Sequence, residues 1–113
     1  MSGSWINPWL ALLIAGVLEV VWASGFKYVG TQRPLISVGV AITMAASFYF
    51  LWVATQKLPI GTAYAIWTGI GAVGTALIGI FVFGEPRTAA RLVCIVLIVA
   101  GIVGLKLASS SQA

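Results

Sequence analysis

Four apolar runs, at residues 8–26, 34–55, 59–83 and 88–107, leave little between them but short connectors. Each is close to the roughly 20 residues a helix needs to cross a hydrocarbon core about 30 Å thick. A soluble four-helix bundle would carry polar stripes at a 3.6-residue period, and none of the runs has one. Only 7% of the 113 residues are charged and 61% are hydrophobic, whereas a soluble domain carries about 25% charged residues. The expected fold class is an all-α membrane protein with four transmembrane helices per subunit. It would be a multi-pass protein of the cell's inner (plasma) membrane.

The first run is read as a span rather than a secretion signal, because no Lys or Arg precedes Lys27. Residues 1–107 form one expected four-span unit, and the small polar tail "ASSSQA", 108–113, is expected to be disordered. Pro34, Pro59 and Pro86 mark the expected starts of spans two, three and four, where a missing N–H does no harm. Cys94 is the single cysteine, so no intrachain disulfide can form, and there is no His. Without His or clustered carboxylates no metal site is expected, nor any cofactor or enzymatic chemistry. The net charge of +4 comes from basic residues spread over the span ends, which read as lipid-facing anchors rather than a nucleic-acid surface.

One residue breaks the apolar pattern. Glu19 lies near the middle of "WLALLIAGVLEVVWASGF", and an ionised carboxylate at bilayer depth is disfavoured by roughly 3 kcal/mol on insertion scales. No basic residue lies within a span to pair with it, and intramembrane acids of this kind are functional by default. On a helix Glu19 shares a face with Ala15, Gly16, Trp22, Ala23 and Phe26. The small residues leave space, and Trp22 offers an aromatic wall or simple packing.

In the third run Gly61, Tyr64, Trp67, Thr68, Gly71 and Thr75 fall on one helical face. Tyr64 fits an interfacial aromatic belt as well as a site, whereas Trp67 lies deeper. Gly69, Gly71 and Gly74 weaken that helix, which suits a bend or close backbone packing. Thr43 and Ser47 share a face in the second run, though a membrane Ser or Thr most often bonds its own helix. In the fourth run Cys94, Gly101 and Gly104 are small residues at helical spacing. They suit dimerisation, with packing inside the subunit as the alternative.

Basic residues divide weakly across the membrane. Lys57 and Lys106 lie on one side; Lys27, Arg33, Arg87 and Arg91 lie on the other. The chain is too short to hold the two inverted halves of many transporters, and two copies inserted in opposite orientations would supply the same symmetry.

Together "GVLEVVWASGFKY", "ATQKLPIGTAYAIWTGIGAVG" and "GEPRTAARLVCIVLIVAGIVGLK" resemble the small multidrug resistance transporters. The Glu19–x–x–Trp22 pattern is similar to that of the guanidinium-exporter branch; the polyaromatic-cation branch typically has a small residue where Trp22 stands. The resemblance implies an antiparallel, dual-topology homodimer that exchanges protons for guanidinium-type cations. It further implies that Glu19 binds proton or substrate and that Trp22, Ser47, Tyr64 and Trp67 line the substrate site. Fourth-span packing would hold the dimer together. A multidrug exporter of quaternary ammonium or polyaromatic cations, a passive cation channel and an accessory subunit are the competing readings. The N-terminal "MSGSWINP" falls outside the resemblance.

Overall fold

The computed structural model describes residues 5–112 in backbone and 5–109 in side chain. Four helices account for most of it: α1 Pro8–Phe26, α2 Pro34–Thr55, α3 Ile60–Phe81 and α4 Ala89–Gln112. All four are long and apolar enough to cross a membrane. No strand occurs among the described residues.

Local chemistry sets the helix ends. The Asn7 side chain accepts a hydrogen bond from the Trp9 backbone N–H at 2.8 Å, and Pro8 opens the first turn. Pro34 opens α2 in the same manner, while Pro59 is the N-cap of α3. The third helix stops at Phe81, two residues short of the apolar run. Gly84 takes φ +68°, and the Glu85 N–H returns to the Gly79 carbonyl at 2.9 Å, so the chain turns out of the helix. Pro86 is not the start of α4. Thr88 fills that role, its hydroxyl accepting from the Arg91 N–H at 3.3 Å and its carbonyl from Leu92 N–H at 3.0 Å. At the other end α4 continues through 108–112, where the polar tail was expected, and residue 113 lies outside the described residues.

The first helix is the hub. It lies against both α2 and α3, while the backbone of α4 approaches α3 alone. Ala11, Leu12 and Ala15 of α1 meet Val53 and Ala54 of α2 and Ala63, Ile66 and Trp67 of α3 in one buried cluster. Glycines allow the close approach of α1 to α3. A Cβ at residue 16 would strike Ile70, and one at residue 74 would strike Val20. Between α3 and α4 the fit is Ile102 over Gly69, where an added Cβ would meet the isoleucine Cδ1 at 2.9 Å. Large apolar side chains such as Leu13, Val17, Val21, Val96 and Leu97 point outward, as a bilayer solvent requires.

Candidate functional site

Glu19 projects from α1 toward α3, and its carboxyl group lies on the backbone at Gly71. A Cβ there would collide with it, so glycine makes the seat. The Glu19 Oε1 atom is buried and has no hydrogen-bond partner among the described residues. One turn away on the same helix, Trp22 Nε1 is in the same condition. Native structures rarely leave buried polar atoms orphaned, so two neighbouring ones single out this place as the candidate site.

Ser47 is wholly buried, at 0% exposure. Its hydroxyl donates to the Ala15 carbonyl at 2.7 Å and accepts from Trp67 Nε1 at 2.9 Å. Ala15 lies one turn before Glu19, so Ser47 ties together α1, α2 and α3. Thr43, on the same face of α2, bonds back to its own helix at Gly39 and Val40, the ordinary fate of a membrane threonine.

The aromatic groups form a run of tilted rings. Trp22 and Phe48 have centroids 6.4 Å apart, Phe48 and Trp67 5.5 Å, and Trp67 and Tyr64 5.4 Å. These separations fall within the range favoured by aromatic pairs. Trp67 is fixed by its hydrogen bond and burial, whereas Phe48 and Tyr64 are about half exposed, at 47% and 55%. Phe48 joins Trp22 to Trp67, and sequence reasoning did not single it out. It sits within the aromatic stretch "FYFLW", where periodicity alone does not say which ring turns inward. The expected site residues therefore gather on the α1–α2–α3 side of the subunit. Thr68 is exposed, and Gly61 has open space around it.

The small residues of α4 lie apart from this cluster. Cys94 is exposed, and a Cβ added at Gly101 or Gly104 would meet nothing within 4 Å. The α3 contact is made by Ile98 and Ile102.

Four apolar helices, three of them gathered about an intramembrane acid and a ladder of rings, define a small multi-pass integral membrane protein. The family model for Small Multidrug Resistance protein matches residues 7–98, and the chain belongs to that family. A protein named "Guanidinium exporter" from Yersinia pseudotuberculosis serotype I is 55% identical over 102 residues, covering 89% of this chain and 98% of its own. Proteins of the same name from Salmonella typhimurium (strain LT2) and Citrobacter freundii are 55% and 54% identical, each over 89% of this chain and 97% of theirs.

Proposed function

We propose that this chain is the subunit of an antiparallel homodimer that exports guanidinium and small substituted guanidinium cations in exchange for protons. Residues 1–107 serve as the four-span transporter subunit. The observation that carries the reading is the Glu19 carboxyl group, seated on Gly71 with a buried, unpartnered oxygen beside Trp22. A guanidinium ion is planar, and its N–H donors match a carboxylate two at a time. Aromatic faces add cation–π attraction of about 2 kcal/mol for a desolvated cation. Trp22, Trp67 and Tyr64 supply those faces, and Ser47 keeps Trp67 in place. A proton and the cation compete for the same carboxylate, and that competition is the coupling.

Several features support a second copy. The subunit is a slab, 46 × 39 × 17 Å, and its ring ladder is open along one side. A single slab cannot enclose a cation away from lipid. The small residues of α4 are free within the subunit to meet a partner helix. Basic residues at two against four across the membrane give little preference for one orientation. The names carried by the relatives support guanidinium as cargo.

The decisive experiment is transport by purified protein in proteoliposomes. An outward guanidinium gradient should drive proton uptake, and Glu19→Gln, which keeps the size but removes titration and charge, should abolish it. Substantial proton-coupled exchange by the Gln variant would sink the mechanism. Guanidinium flux with no proton movement would indicate a channel.

A further inference from the structure

The segment joining α1 to α2, residues 27–33, stands where two spans end, at the depth of lipid headgroups. Neither of its two cations is paired with an acid. The Lys27 ammonium lies 5.4 Å from the centroid of the Phe83 ring, Phe83 lies 6.0 Å from Tyr28, and the Arg33 guanidinium lies 5.6 Å from the Tyr28 ring. Aromatic faces hold both cations in place without neutralising either. The same membrane face carries Arg87 and Arg91, and its single acid, Glu85, is bonded to Arg91 at 2.6 Å. No other ion pair occurs among the described residues, so Lys27, Arg33 and Arg87 are left without a counter-ion from the chain.

Beside Arg33 the surface is hollowed. A cavity of about 280 Å³ is lined by Tyr28, Thr31, Gln32 and Arg33, among others. A second, of about 430 Å³, is lined by Val29, Pro34 and Val38, and the two share Val29, Gly30 and Thr31 as walls. The shared wall is held by Ser37, whose hydroxyl accepts from the Gly30 N–H at 3.1 Å and lies 3.0 Å from the Gly30 and Arg33 carbonyls. A guanidinium, a carboxamide and two hydroxyls edge the first hollow, while the second is mainly apolar. A polar hollow and an apolar one on a common wall have the outline of an amphiphile.

From this arrangement we infer that residues 28–38 form a binding site for an anionic phospholipid, its phosphate beside Arg33 and the start of an acyl chain against Val29, Pro34 and Val38. The site requires only that the chain spans a membrane, not that it exchanges protons. A guanidinium resting on a ring keeps N–H donors along its edge, and these match phosphate oxygens two at a time. Basic pockets at the ends of spans take such headgroups. Charge then sets the class of lipid. A zwitterionic headgroup brings a cation along with its phosphate, and the unmatched basic residues oppose that cation. A glycerol headgroup brings none, so phosphatidylglycerol is favoured over phosphatidylcholine.

The test is native mass spectrometry of the purified full-length protein in detergent, supplied with equal amounts of phosphatidylglycerol and phosphatidylcholine. The unmodified protein should retain phosphatidylglycerol in preference. Arg33→Gln should cut that preference about fivefold, the effect of one basic residue at a membrane surface. Gly30→Leu keeps every charge and adds bulk beside both hollows, at a position where a Cβ meets nothing within 4 Å, so it should fold and lose the lipid to a similar extent. Arg87→Gln removes a charge from the same face outside both hollows and should have the smallest effect of the three. Equal retention of the two lipids by the unmodified protein would overturn the site, as would unaltered lipid binding in Gly30→Leu. Equal losses from Arg33→Gln and Arg87→Gln would mean diffuse attraction by the whole face and would overturn it too. Glycerol phosphate, a headgroup without chains, should not displace the lipid; displacement at matched concentration would mark a site for free phosphate instead.

Discussion

Glu19 depends on a residue that has no side chain. Because its carboxyl group occupies the position a Cβ at residue 71 would take, Gly71→Ala must push the acid aside. A displacement near 1 Å in a binding site costs about a hundredfold, so transport should fall on that scale while insertion in the membrane persists. Radiolabelled guanidinium uptake with a parallel check of membrane yield would measure both. The Ser47–Trp67 bond makes a different prediction, on stability. Ser47→Ala leaves the buried Trp67 N–H without its acceptor and should cost about 1–3 kcal/mol. Trp67→Phe removes the donor but leaves Ser47 bonded to Ala15, and should cost less through that bond, though it also loses ring area. Thermal unfolding in detergent should rank the two in that order. Under the proposed function, Trp22 sets what is carried. Quaternary ammonium ions have no N–H to offer and leave the carboxylate unpartnered, so the unmodified protein should favour guanidinium over them. Trp22→Gly should weaken guanidinium transport and admit bulkier cations; equal transport of guanidinium and a polyaromatic dication by the unmodified protein would place it in the other branch.

At the scale of helices, α1 and α3 are locked by glycine while α4 is attached along one face. Gly16, Gly71 and Gly74 each accommodate a side chain from the facing helix or receive one, so any enlargement there moves backbone. Gly101 and Gly104 on α4 are surrounded by open space inside the subunit. Gly101→Ile and Gly104→Ile should therefore leave the subunit's helical content intact and weaken its pairing with a second copy. Helical circular dichroism and cross-linking in lipid would separate the effects. A dimer of unaltered strength would show that this seam faces only lipid. The spans were legible from apolar run length, but the end of α3 and the start of α4 were not. The turn at Gly84 and the cap at Thr88 depend on backbone geometry that hydropathy does not encode.

For the molecule as a whole, the proposed pairing of two slabs makes orientation the controlling variable. With basic residues nearly balanced across the bilayer, both topologies should be populated. Adding Lys to the 27–33 and 82–88 connectors, the side that already holds four basic residues against two, should force one orientation, because short-loop Lys and Arg set topology. That variant expressed alone should lose transport, and co-expression with an oppositely biased variant should restore it. Labelling of cysteine-tagged C-termini from one side only, in fully active cells, would sink the antiparallel arrangement.

The sequence by itself determined that the chain lives in a membrane, how many times it can cross and which residue is out of place there. Each follows from local quantities: run length, charge content and the cost of a carboxylate in hydrocarbon. It also placed Trp22, Tyr64 and Trp67 on helical faces, because helical periodicity is local too. Only the tertiary structure decided what those faces meet. The seat of Glu19 on Gly71, the turn of Ser47 toward Ala15 and Trp67, and the insertion of Phe48 between Trp22 and Trp67 all join residues of different helices. Such contacts depend on the rotation and depth of one helix against another. Those are set by how side chains fit glycine gaps, and no single helix's sequence carries that information.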